Sequence, residues 1–154
     1  MDRETTATFI GHRDCMALEP KTVQAAVRRL ASVGVTDFLC GGMGGFDWLC
    51  ARTVHLCKAD APRLQCHLVI PYLSFRIDHP EYFDSILYPE GFEKYHFKAA
   101  IPARNRYLVE NSSYAICYIE HDWGGAAKTY AQALRKGLTI INVGKGLYKP
   151  NSVI

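Results

Sequence analysis

Short apolar runs alternate along the chain with longer stretches in which apolar residues recur every three or four positions. The short runs predict strands at 6–10, 35–40, 64–70, 114–119 and 138–143. The longer stretches predict helices at 20–33, from about residue 46, at 102–111 and at 126–136. Strands that alternate with helices indicate βαβ units. We therefore expect an α/β protein of three layers, α/β/α, with a mostly parallel sheet of about five strands.

The segment 71–100 interrupts this alternation. It carries prolines at 71, 80 and 89 and is rich in tyrosine and phenylalanine. We interpret it as an irregular or short-helical insertion in a single domain that spans 1–154, since this length fits one domain and is short for two. Its aromatic side chains could pack the insertion onto the sheet, form a subunit interface or, for one or two of them, stack on a nucleobase.

Four polar segments lie next to predicted strands and helices, at 11–14, 41–47, 102–106 and 123–129, and two of them, 41–47 and 123–129, are glycine-rich loops. Parallel strands end at one edge of a sheet, so we expect these segments to meet there. Glycine-rich turns at helix N-termini expose backbone N–H groups that favour an anion. Either glycine loop alone would equally suit an ordinary tight turn. Both loops together predict a phosphate site.

Individual side chains in these segments suggest roles. Arg13 and Arg104 would supply positive charge. Arg104 is predicted near a helix N-terminus, where a cation is unfavourable by up to about 1 kcal/mol unless an anion or a surface carboxylate offsets it. Asp47 could accept from ribose hydroxyls or cap loop N–H groups, and His12 could contact phosphate, move a proton or be structural. The predicted ligand-binding set is Gly11, His12, Arg13, Gly42, Gly44, Gly45, Asp47, Arg104, Asn105, Gly124, Gly125, Lys128 and Thr129.

Composition narrows the choice of partner. The net charge of +3 suits a small anion, and without a visible basic stripe a nucleic-acid partner is disfavoured. No apolar run is long enough to span a membrane and no secretory signal is visible, so we expect a cytoplasmic protein without a membrane partner. The six cysteines form no C-x-x-C pair. We expect no metal site and no cofactor.

Four motifs in order along the chain carry a family resemblance: TFIGHRD at 8–14, GGFD at 44–47, ARNR at 103–106 and WGGAA at 123–127. Together they resemble the SLOG superfamily, in particular the small bacterial DUF1273 proteins. More distantly they resemble the lonely-guy phosphoribohydrolases and the fold of DNA-processing protein A. The resemblance implies a Rossmann-like sheet that binds nucleotides or nucleotide-derived ligands, with sensing as one role. It also allows a homodimer.

The lonely-guy enzymes suggest a second hypothesis, N-glycosidic hydrolysis of nucleoside monophosphates or a deoxyribosyltransferase-like reaction. In that comparison Arg104 matches the family's arginine, Asn105 replaces a lysine, and Gln132 stands where the catalytic glutamate would fall. An amide cannot act as a general base or stabilise a developing oxocarbenium ion. Another carboxylate would have to serve, and the candidates are Asp47, Glu120 and Asp122.

We therefore expect first a binding protein for a phosphorylated, nucleotide-derived ligand. The N-glycosidase is the alternative from a different class, and single-stranded DNA binding, by analogy with the DNA-processing fold, is placed third. Thermal shifts with nucleotides, base release and salt-dependent gel shifts distinguish the three.

Overall fold

A computed structural model describes residues 1–144, so the end of the expected single domain, 145–154, lies outside the described residues. The strands and helices follow the predicted alternation. They are β1 (Thr6–Gly11), α1 (Pro20–Ser32), β2 (Asp37–Cys40), α2 (Gly45–Cys57), β3 (Gln65–Val69), β4 (Ser85–Leu87), α3 (Phe97–Glu110), β5 (Tyr114–Tyr118), α4 (Gly125–Arg135) and β6 (Thr139–Asn142). Of the helices in these residues, none could span a membrane.

The strands form one sheet with the order β4-β3-β2-β1-β5-β6, and each neighbouring pair is parallel. The chain builds the sheet outward from β1 to β4 and then crosses to the other side of β1 to begin β5. The order of strands therefore reverses between β1 and β5. In open α/β sheets, ligands bind beyond the carboxyl ends of the strands at such a switch point.

The sheet is buried on both faces, as the nearly continuous apolar runs predicted. Ala7 and Phe9 of β1 pack in a core with α1 and α2, and the rings of Phe9 and Phe38 stack at 5.6 Å. Ile10 points to the other face and packs with residues of β5, β6 and α4. The predicted α/β fold with three layers and a parallel sheet is confirmed.

The sheet has six strands where about five were expected, because segment 71–100 contains β4. This strand has only three residues and none of them is buried, so its apolar run, Ile86 and Leu87, is too short to reveal a strand. A chain of side chains ties it to the sheet. The buried ring of His67 contacts Ser85 Oγ through Nδ1 at 2.6 Å and Asp37 Oδ1 through Nε2 at 2.8 Å, which links three strands.

The aromatic side chains of segment 71–100 pack mainly against one another and against α3. Tyr72 contacts the ring of Phe97 at 4.7 Å, and Phe92 makes edge contacts with Tyr95 and Tyr107. None of the residues 71–100 is among those that line the large cavity described below. The aromatic side chains of segment 71–100 are thus better explained as packing the insertion onto the protein than as rings that stack on a nucleobase.

Helix α3 begins at Phe97, five residues before the predicted start. His96 caps it by accepting from the N–H of Lys98 at 3.3 Å, and Pro102 lies inside the helix. Arg104 is therefore in the middle of α3 and not at its N-terminus. The expectation that an anion or a surface carboxylate must offset an unfavourable cation at a helix start is wrong for this residue.

Candidate functional site

A cavity of about 660 Å³ opens at the carboxyl ends of β1 and β5, where the strand order reverses. Its volume is within the range of small-molecule and cofactor sites. All four polar segments contribute to its walls. The predicted residues that line it are Gly11, His12, Arg13, Asp47, Arg104, Asn105, Gly124, Gly125 and Thr129.

The remaining predicted residues lie beside the cavity and not in its walls. Gly44 has a φ of 90°, and a Cβ there would lie 2.9 Å from the Cα of Arg13. Gly45 donates its N–H to the carbonyl of Arg13 at 2.8 Å. The loop of Gly42, Gly44 and Gly45 therefore supports the Arg13 loop through close backbone packing. Lys128 and Asp122 are exposed and outside the walls.

Arg104 forms the inner wall. Its side chain is buried, and Nη1 donates to the carbonyls of Gly41 and Val69 at 2.7 and 2.9 Å, at the ends of β2 and β3. Nε donates to Asn105 Oδ1 at 3.0 Å. These carbonyls would be buried without a donor if the guanidinium were absent. Arg104 thus holds the strand ends together and places its positive charge in the inner wall of the cavity.

Asp47 is the buried carboxyl group of the cavity, with 9% of the residue exposed. Its Oδ2 accepts from the N–H of Met43 at 2.9 Å, which is the capping role expected as one alternative. Burial raises the pKa of Asp47 to about 6, against the opposing effects of that hydrogen bond and of the cations Arg104 and Arg13. The group is therefore an acceptor that changes charge near pH 6.

Three aromatic rings stack along one side of the cavity. The ring of His12 lies 3.7 Å from that of His121, which lies 3.7 Å from the indole of Trp123. His12 Nε2 accepts from the N–H of Glu120 at 3.0 Å, so the proton of the neutral ring is on Nδ1. Burial, and then the neighbouring His121, lower the pKa of His12. The column ends in an indole that is 69% exposed.

Sequence reasoning did not identify Tyr118 and His121 as wall residues. Tyr118 donates its hydroxyl to Glu120 Oε1 at 2.6 Å, and this hydrogen bond, with burial, raises the pKa of Tyr118 to about 12. Their position along the chain could have identified them, since both residues lie at or just after the end of β5, where the cavity opens. The same rule had selected residues 11–14 after β1.

The cavity combines a side that carries a guanidinium and backbone N–H groups with an aromatic side. Exposed Arg13 and the start of α4 at Gly125 lie on the first, and Trp123 ends the second. Within residues 1–144 there is no group of three histidine, cysteine, aspartate or glutamate side chains that could hold a metal ion. The arrangement is chemically suited to a ligand that carries both a phosphate and a planar ring.

Two solved structures of DNA processing protein A share this fold. The protein from Helicobacter pylori has a TM-score of 0.59 and 18% identity, over 88% of this chain and 63% of that chain. The Streptococcus pneumoniae protein has a TM-score of 0.61 and 18% identity, over 88% of this chain and 48% of that chain. This chain therefore spans less than two-thirds of either protein. No family model matches, and no curated protein matches.

These likenesses show a shared Rossmann-like fold. The resemblance of the sequence motifs to DNA processing protein A implied this fold. The narrower resemblance to the DUF1273 proteins stays a prediction. The Helicobacter pylori protein binds single-stranded DNA. The expectation that a nucleic-acid partner is disfavoured is therefore wrong, since a protein with this fold binds single-stranded DNA.

Proposed function

We propose that the protein binds single-stranded DNA, with one nucleotide seated in the cavity at the carboxyl edge of the sheet. The observation that carries the proposal is the His12, His121 and Trp123 column, which ends in an exposed indole beside the cavity. A base stacked on such a ring is stabilised by about 1–3 kcal/mol without regard to sequence.

The loop before α4 is suited to the phosphate of that nucleotide. Gly124 has a φ of 93° and precedes the first residue of the helix, Gly125. A Cβ at either glycine would meet nothing within 4 Å, so the loop is open to a ligand. The N–H groups at the start of α4 favour an anion, and the exposed guanidinium of Arg13 adds charge.

A free nucleotide or nucleotide-derived molecule is the second candidate. The observation that favours it is the depth of the cavity, because the carboxyl group of Asp47 is buried in its wall and could accept from ribose hydroxyls. Cleavage of the ligand is less well supported. Asp47 already accepts from Met43, Glu120 accepts from Tyr118, and Asp122 lies outside the walls.

Fluorescence anisotropy at low salt tests the proposal with an oligothymidylate of about 12 nucleotides and with dTMP and ADP-ribose as competitors. We expect tight binding of the oligonucleotide and weak competition. Trp123→Ala should weaken binding by about 5- to 150-fold, the equivalent of one lost base stack. Trp48→Phe, at the other tryptophan, is the matched control and should leave the affinity unchanged.

Each outcome has a distinct meaning. Competition by dTMP or ADP-ribose at the affinity of the oligonucleotide would select the second candidate. Equal affinities of the Trp123→Ala variant and the wild type would show that the stacking column does not contact the DNA. Failure of all three probes to bind would refute both candidates.

A further inference from the structure

A second concave feature lies between α3 and α4, on the outer side of the helical layer. It has a volume of about 160 Å³. Its walls are Arg106, Val109 and Glu110 of α3, and Gln132, Arg135 and Lys136 at the end of α4. Residues at i, i+3 and i+4 share one face of a helix. Each helix therefore turns one continuous face into this groove, which we name the α3–α4 groove.

The α3–α4 groove leads away from the cavity. The cavity uses Asn105 and Leu108 of α3, and the groove uses the next residues, Arg106 and Val109. On α4 the cavity uses Thr129, and the groove begins less than one turn further on. The 11 residues of α4 span about 16 Å at about 1.5 Å per residue. This length equals about five stacked nucleotides at about 3.4 Å each.

The groove is rich in positive charge. Arg106, Arg135 and Lys136 are all exposed, and Glu110 is the one acidic residue among the groove's walls. In the part of the chain that the structure describes, no carboxylate lies within ion-pair distance of these three cations. By contrast, Arg28 on the other face of the sheet pairs with Asp60 at 2.6 Å.

The dipole at the C-terminus of α4 explains only part of the positive charge in the groove. Cations at a helix C-terminus are favourable, which accounts for Arg135 and Lys136 in the absence of any ligand. Arg106 lies inside α3, where the helix dipole gives no such reason. Its position opposite the other two creates a surface with unpaired donors on both sides of the groove, which is suited to a chain of phosphates.

We propose that the α3–α4 groove binds the phosphate backbone of the single-stranded DNA that leaves the cavity. This inference rests on the proposed function, since the strand must first be held at the cavity. Arg106 contacts the strand from one side, and Arg135 and Lys136 contact it from the other. The contacts are to phosphates and not to bases, so they lengthen the binding site without adding sequence preference.

The test compares the salt dependence of binding for a long and a short oligonucleotide. The groove variant is Arg106→Gln/Arg135→Gln/Lys136→Gln. The matched control, Lys21→Gln/Arg29→Gln/Arg52→Gln, removes the same charge from exposed positions on α1 and α2. Thermal unfolding shows that both variants are folded. The probes are oligothymidylates of about 12 nucleotides and of two nucleotides.

Three lost phosphate contacts should make the plot of log K against log salt shallower by about 2 for the long probe. Between about 50 and 200 mM salt, the wild type should then lose about 20-fold more affinity than the groove variant. The control should keep the wild-type slope, and the dinucleotide should bind all three proteins equally.

The two proposals can fail separately. Equal slopes for the groove variant and the control would overturn the α3–α4 groove and leave the cavity intact. A shallower slope in the groove variant together with no effect of Trp123→Ala would retain the groove and overturn the cavity as the stacking site. Failure of the wild type to bind either probe would overturn both.

Discussion

The buried carboxyl group of Asp47 should make the stability of the protein depend on pH in a direction opposite to that of a surface ion pair. Asp47→Asn is the perturbation. It removes the charge and keeps an oxygen that can accept from the N–H of Met43, which lies 2.9 Å from Oδ2. The substitution thus isolates the free energy of ionising a carboxyl group in this wall.

The magnitude follows from the pKa of Asp47, which burial raises from 3.8 to about 6 in the folded protein. A group with a raised pKa stabilises the folded state fully below its unfolded pKa, and this contribution is lost as pH rises through the folded value. A difference of about 2 in pKa corresponds to about 3 kcal/mol. Relative to Asp47→Asn, the wild type should therefore lose up to about 3 kcal/mol between pH 4 and pH 7.

Urea unfolding followed by tryptophan fluorescence at intervals from pH 4 to pH 8 gives this difference directly. The two proteins should be about equally stable at pH 4, and the variant should be more stable at pH 7. Asp60→Asn is a control of opposite sign, because the hydrogen bond from Arg28 lowers the pKa of Asp60. That variant should lose stability relative to the wild type as pH rises from low values. A wild-type minus Asp47→Asn difference that is constant over this range would refute the reasoning.

Two further substitutions test how the sheet and the loops are held. Ser85→Ala removes a hydrogen-bond partner from the buried ring of His67 and should lower the free energy of unfolding by about 1–3 kcal/mol. Ser74→Ala, at an exposed position, is the control and should leave the free energy of unfolding unchanged. Equal urea midpoints for the two variants would show that the His67–Ser85 contact does not stabilise the fold. Gly45→Ala places a Cβ 2.7 Å from the carbonyl oxygen of Arg13 and should cost about 1–3 kcal/mol, whereas a Cβ at Gly125 meets nothing within 4 Å. Thermal unfolding of both glycine variants decides this, and equal midpoints would contradict it.

Hydrophobic patterning predicted the strands that are buried on both faces, and it missed those parts of the fold that depend on side-chain contacts. β4 is short and unburied, and hydrogen bonds of His67 attach it to the rest of the sheet. No local sequence pattern predicts these hydrogen bonds. The start of α3 was misplaced because Pro102 is typical of a first turn. In the structure the capping residue is His96, and the helix continues through the proline.

The rule that parallel strands end at one edge predicted which segments meet at the cavity, but not what each side chain does there. The partners of Arg104 are carbonyls at the ends of two strands far from it in sequence, so its role is visible only once the sheet is assembled. His121 stacks between two rings because the turn after β5 places it there. Arg104 belongs to the ARNR motif, but the motif does not name its partners, and His121 lies outside all four motifs.

The two glycine loops, which look alike in the sequence, differ in physical role. In the first, a Cβ at Gly42 would lie 2.5 Å from the side chain of Leu68, and one at Gly44 would lie 2.9 Å from Arg13 Cα. These glycines are needed because protein atoms occupy the space beside them. In the second, Gly124 and Gly125 face open space. In the first loop, neighbouring protein atoms fill the space that side chains would occupy, so this loop supports the fold. In the second loop that space is empty, so this loop can admit a phosphate. The anion site should therefore lie at the start of α4, beside Trp123.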